Sequence, residues 1–221
     1  MISGERLSET GQWLESREGT RWWFDSGALC LDFAYTGPMG DAGDGQAVGW
    51  EQLVNSADLD DWLADRSAVT ASTDRDLRDA HTLREAIAHV TIALASGNQP
   101  LRRDIDLINL YAATPDLPPR LHGGSRQAGR SLPRAAQALS TIARDAVAVF
   151  SGERDGTIRG CDADDCGLLY VDTSRAGTRR WCSMQRCGNR HKVRQHRARQ
   201  RAKAEAQNFS APQADSQPTA Q

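Results

Sequence analysis

The chain has 221 residues, 39% of them hydrophobic, and a net charge of -2. That length supports one domain of ordinary size plus a small appendage. No apolar run approaches the ~18 residues of a membrane span, and Met1 to Arg6 does not lead from basic residues into an apolar stretch, so a cytoplasmic protein is expected.

Residues 1–21 are polar and lack sustained periodicity, which predicts a flexible arm. At Trp22-Trp23-Phe24 the chain turns apolar, and residues 28–35 fit either a short strand or the start of a helix. Pro38 and the surrounding glycines make 37–45 a loop without the Gly-Lys-Ser/Thr end of a phosphate cradle. Asn55 to Asp58 opens a helix, with Asp58, Asp60 and Asp61 near its positive end and Leu59, Trp62 and Leu63 on its apolar face. The strongest helical signal covers 74–95. Leu77, Ala80, Leu83, Ile87, Val90 and Leu94 recur at three- and four-residue steps, Thr73 and Asp76 form a capping-box pattern, and Ser96-Gly97 ends the run. Shorter helices are predicted over 104–113 and 134–150, separated by a proline- and glycine-rich loop. Residues 22–153 thus read as a helical domain with its own core. Residues 206–221 read as a disordered tail.

Four of the five cysteines lie in the last third, as Cys161/Cys166 and Cys182/Cys187, two C-x4-C pairs fifteen residues apart. Equal, closely spaced pairs in a reducing compartment point to one Zn2+ per chain held by four thiolates rather than to disulfides. Four protein ligands close a tetrahedral sphere and leave no position for a catalytic water. Reduced structural cysteines are the plainer alternative, and His191 and His196 are the alternative ligands. Leu168 to Asp172 has strand character, and Thr178 to Cys182 is expected to return as its partner. Cys187 then leads into a helix, which is the order of a treble-clef-like finger over 154–205. The predicted fold class is mainly α: a helical amino-terminal domain plus this small finger of β-hairpin and basic helix.

The charge is unevenly placed. Eleven basic residues and no acidic ones lie between Arg175 and Lys203, while the rest of the chain holds the other 16 basic and all 29 acidic residues, a balance of -13. Ordinary solvated helices mix signs to gain i,i+4 pairs, and this one does not. Self-repulsion of this kind is relieved by phosphate, so double-stranded DNA is the expected partner. Arg179, Arg180, Arg190, Lys192, Arg194, Arg197, Arg199 and Arg201 are the candidate contacts. Arg190, Arg194 and Arg197 are expected to project away from the thiolates, whereas Arg179 and Arg180 flank Trp181 and combine contact with support.

The run Arg159-Gly160-Cys161, Cys166-Gly167, Val171-Asp172-Thr173-Ser174, Arg179-Arg180-Trp181-Cys182-Ser183-Met184, Cys187-Gly188-Asn189-Arg190 and Lys192-Val193 resembles the CGNR zinc finger. Gly27, Leu31-Asp32-Phe33, Leu59-Asp60-Asp61-Trp62-Leu63, Leu83-Arg84-Glu85-Ala86-Ile87 and Ile142 to Val147 are similar to the ABATE domain, which is paired with that finger in bacterial proteins of the stress-induced transcription regulator class. Tyr35-Thr36 stands where that family usually has Asn-Thr. The resemblance implies a mostly helical amino-terminal domain and a DNA-binding zinc finger.

Asp32 lies in an apolar stretch, and a buried carboxylate needs a partner. A backbone cap or a core arginine is one answer; a ligand pocket formed by Asp32, Phe33 and Tyr35 is the other. No nucleophile and base are paired, so an enzyme is not expected. The chain reads as a zinc-dependent regulator responding to stress or to a small-molecule effector, possible as a homodimer. The rival reading is an RNA- or nucleoprotein-binding accessory factor.

Overall fold

The computed structural model describes residues 10–15, 19–39, 51–66, 71–117 and 133–209, with side chains as far as 203. The expectations for the glycine-rich loop beyond 39, for most of the loop over 114–133 and for the tail beyond 209 fall outside these residues. Among the described residues no helix is long and apolar enough to cross a membrane.

The first core is helical. Leu29–Ala34 (α1) is a six-residue helix buried on all sides. Its ambiguous apolar run becomes helical because it is enclosed by Asp74–Ala95 (α3) and Ala135–Phe150 (α5). Leu31 and Phe33 meet Leu83 and Ile87 of α3 and Leu139 and Ile142 of α5 in one cluster, each burial worth about 1.5–3 kcal/mol. So short a helix needs help at its start. Asp145 of α5 accepts the Cys30 N–H at 2.9 Å and is itself paired with Arg154. Asp74–Ala95 opens with the reciprocal cap foreseen for it, and Ser56–Ala64 (α2), foreseen only as a helix start, opens with one too. Asn55 Oδ1 accepts from the Asp58 N–H at 3.2 Å and Asp58 returns the bond to the Asn55 N–H at 2.9 Å, and Thr73 and Asp76 do the same. Arg102–Ala112 (α4) packs on α3 and α5.

A second core joins the two ends of the chain. Gln12–Glu15 (β1) and Arg21–Phe24 (β2) form an antiparallel hairpin with Trp13 opposite Trp23. The flexible arm expected over 1–21 is therefore corrected where it is described. Alternation over four residues per strand is too brief to register as a pattern, but it places Leu14, Trp22 and Phe24 on a buried face. That face packs with Tyr35, Leu168, Tyr170, Cys182 and Cys187. The helical domain does not keep its core to itself.

The finger departs from expectation in its sheet. Leu169–Asp172 (β4) pairs with Thr157–Gly160 (β3), Gly160 opposite Leu169, and not with Thr178 to Cys182. Side chains fasten the latter segment: Asp172 accepts the Arg179 N–H at 3.0 Å, and the Tyr170 hydroxyl donates to the Arg179 carbonyl at 2.7 Å. The long basic helix Asn189–Phe209 (α6) follows. It runs past the finger's predicted end at 205.

Candidate metal centre and nucleic-acid interface

Two backbone devices present the cysteines. The turn between β3 and β4 is a knuckle in which Cys161 N–H donates to the Leu168 carbonyl and Cys166 N–H to the Ala163 carbonyl, both at 2.9 Å. The second pair is brought in by a π-helical turn, Met184–Gly188, closed by Gly188 N–H on the Ser183 carbonyl at 3.1 Å. The wider π turn directs Cys187 back towards Cys182 before α6 begins. Gly188 packs closely under Met184 and Trp181, so a larger residue there would require the exposed Met184 side chain to shift. A Cβ on it would lie 2.7 Å from Met184 Sδ and 3.3 Å from Trp181 Cδ1.

The four sulfurs lie within 4.8 Å of one another, with Cys166–Cys182 at 3.7 Å and Cys182–Cys187 at 3.5 Å. A zinc ion with Zn–S bonds of about 2.3 Å sets tetrahedral sulfur–sulfur edges of about 3.8 Å. The cluster fits one Zn2+, and all five cysteines are free of disulfides. The Cys182 N–H points to Cys161 Sγ at 3.4 Å and Arg190 Nη2 to Cys187 Sγ at 3.3 Å. These donors offset the negative charge that four thiolates retain around a dication.

The eight basic candidates divide into two groups. Arg179 is a brace. Its Nη2 donates to the carbonyls of Asp25 at 2.7 Å and Cys182 at 2.6 Å, its Nε to Trp181 O at 3.1 Å, and its guanidinium covers the Tyr170 ring. Arg180 pairs with Asp162 at 2.7 Å beside Trp181. Arg190 and Arg194 both turn back onto Asp165 of the knuckle, at 3.0 and 2.8 Å. The expectation that Arg190 projects away from the thiolates is thereby corrected, since its Nη2 also reaches Cys187 Sγ, while Arg194 touches the knuckle through Asp165. In contrast, Lys192, Arg197, Arg199 and Arg201 are exposed and, among the described residues, have no acidic partner.

A model described as Putative stress-induced transcription regulator, ABATE, matches residues 27–153, more than half of the chain. The chain belongs to the ABATE family. A CGNR zinc finger model matches residues 157–200, so the two units follow one another in the order read from the sequence. The search of curated proteins gives no match.

Within the ABATE domain, Asp32, Phe33 and Tyr35 are fully or almost fully buried, and protein groups take their polar atoms. Asp32 Oδ1 accepts from Ser26 Oγ and Oδ2 from the Gly11 N–H, each at 2.6 Å. Burial raises its carboxyl to about 6 against the opposing pull of these donors and of Arg66. Phe33 packs on Trp62, and the Tyr35 hydroxyl is bound to the backbone of Leu169. Of the two answers offered for Asp32, protein partners are the ones present, and Phe33 and Tyr35, the other members of the alternative pocket, are engaged in packing and in a joint to the CGNR finger. Gly27, with φ +79°, allows that joint to close, since a Cβ there would collide with the Val171 carbonyl, while Val171 N–H donates to Ser26 O at 2.8 Å.

Several structural residues escaped the sequence reading. Asp165, Tyr170, Asp172 and Asp25 hold the finger together or tie it to the ABATE domain. Only Asp172 carried a local signal, its turn with Ser174, whose N–H and hydroxyl it accepts at 3.0 and 2.6 Å.

Proposed function

We propose that this ABATE protein is a DNA-binding transcription regulator whose CGNR finger holds zinc and directs α6 against duplex DNA. The supporting observation is the set of exposed basic residues Lys192, Arg197, Arg199 and Arg201, which among the described residues have no acidic partner, in a chain whose residues outside 175–203 carry a net charge of -13. Such cations gain from phosphate the pairing that the described residues do not supply, and the acidic body turns the same polyanion away from other faces. The protein acts in the cytoplasm and carries out no chemistry of its own. The ABATE domain conveys a stress signal, and its shared core with the finger supplies a route by which a change in one unit is felt in the other.

The test is a salt titration of binding to a promoter-sized duplex, with RNA of equal length as competitor. The parent is expected to prefer the duplex and to lose affinity steeply with salt. Replacing Lys192, Arg197, Arg199 and Arg201 by Gln should flatten the log–log slope by about 0.9 for each contact removed. Equal or tighter binding of RNA favours the accessory-factor reading, and an unchanged slope removes α6 from the interface.

A further inference from the structure

The basic residues of α6 form two opposed stripes. At about 100° per residue, Arg190, Arg194, Arg197 and Arg201 share one side, and Lys192, His196, Arg199 and Lys203 the other. The first stripe is divided by what it touches. Its two members nearest the zinc knuckle are bound to a single oxygen, Asp165 Oδ2, by Arg190 Nη1 at 3.0 Å and Arg194 Nη2 at 2.8 Å. Arg190 continues to Cys187 Sγ at 3.3 Å. A chain of opposite charges thus runs from the metal ligand through Arg190 and Asp165 to Arg194, spanning the turn of helix that leaves the finger. Beyond it, Arg197 and Arg201 have no such partner among the described residues.

We infer that Asp165 is a positioning residue. It assigns Arg190 and Arg194 to hold α6 at a set angle on the knuckle, and so leaves contact with phosphate to Lys192 and Arg199 on the opposite stripe and to Arg197 and Arg201 farther along the helix. This rests on the DNA-binding reading and refines it. A helix that carries few apolar residues cannot be oriented by burial. Among residues 189–203 only Val193, Ala198 and Ala202 are apolar, and all three are exposed. Charge pairing to the knuckle is then the means of orientation beyond the first turn. Asp165 adjoins the ligand Cys166 in sequence, so the angle of the helix is referred directly to the metal centre.

The experiment uses the zinc-loaded full chain and has two arms. In the first, amide hydrogen exchange is followed over residues 189–195. Asp165→Asn, which keeps the shape and removes the charge, is expected to speed exchange there with zinc content unchanged; unchanged protection overturns the proposal. In the second, duplex binding is titrated against salt. Asp165→Asn and Arg194→Gln are each expected to weaken binding roughly two- to fivefold, as befits an exposed pair, without altering the salt slope. The double variant should bind no more weakly than either single one, because the two residues act as a unit. Arg197→Gln with Arg201→Gln should lower the slope by about 0.9 per contact. Tighter binding by Asp165→Asn, or a reduced slope for Arg194→Gln, shows that Arg194 is a phosphate contact competing with Asp165 and overturns the assignment. If the parent binds no duplex, the DNA reading fails, and the exchange arm alone decides whether Asp165 holds the helix.

Discussion

The Tyr35 hydroxyl donates to the Leu169 carbonyl at 3.0 Å and accepts from the Leu169 N–H at 2.8 Å. One side chain at the end of α1 therefore serves as a partner for the backbone of β4, at a position where the family resemblance leads one to expect asparagine. Burial holds the phenol far above its ordinary range, so it stays protonated and keeps both bonds across the neutral region. Tyr35→Phe is expected to cost about 1–3 kcal/mol, because a backbone donor and acceptor lose their partner together. Urea denaturation of the zinc-loaded protein measures this, with zinc content unchanged. A loss too small to detect would mean that water replaces the phenol.

Gly27 provides a sharper cut between the two units. Its positive φ and the Val171 carbonyl opposite it leave no room for a methyl group. Gly27→Ala should part the finger from the ABATE domain while leaving the four sulfurs together. The expected result is faster hydrogen exchange at the Val171 amide, which now donates to Ser26, with one zinc still bound per chain. Loss of zinc from this variant would show that the joint is required to assemble the metal centre.

Metal removal should reach further than the finger. Cys182 and Cys187 lie in the same cluster as Leu14, Trp22 and Phe24, and Arg186 of the π turn covers the Trp22 ring at 3.7 Å. Metal analysis of the parent should find about one zinc per chain. Cys182→Ser, or chelation, is expected to unfold the finger and to release the β1–β2 hairpin, with a red shift of tryptophan emission. Helical circular dichroism from α3 to α5 should persist, since their cluster contains no cysteine ligand. Retention of the parent emission spectrum after zinc removal would argue against the shared core.

Asp32 makes stability depend on pH in an unusual direction for a carboxylate. Burial, the leading cause, raises its value from 3.8 to about 6, above that of the unfolded chain. The folded state therefore binds the proton more tightly, and the contribution is fully present below pH ~4 and lost as pH rises through 6. The difference in unfolding free energy between the parent and Asp32→Asn should fall by roughly 2 kcal/mol between pH 4 and 7. Using the difference removes the carboxylates common to both proteins. A difference that does not change with pH would mean that Asp32 is more hydrated than its contacts imply.

The sequence by itself determined what is local. Two equal cysteine pairs specify a zinc centre because chelation needs only four thiolates at short spacing. The cap at Thr73 and the helix start at Asn55 were legible because each lies within four residues, and α3 because an amphipathic face repeats through six turns. The tertiary structure decided what depends on distant partners. Six apolar residues become α1 because α3 and α5 enclose them. Four-residue strands become a hairpin because the finger covers one of its faces. Arg179, Arg190 and Arg194 cannot be told from Arg197 and Arg201 by composition or period. Charge alone does not reveal that Asp25, Cys182 and Asp165 hold the first three while solvent surrounds the others, since electrostatic and hydrogen-bonding partners are chosen by proximity in space and not along the chain.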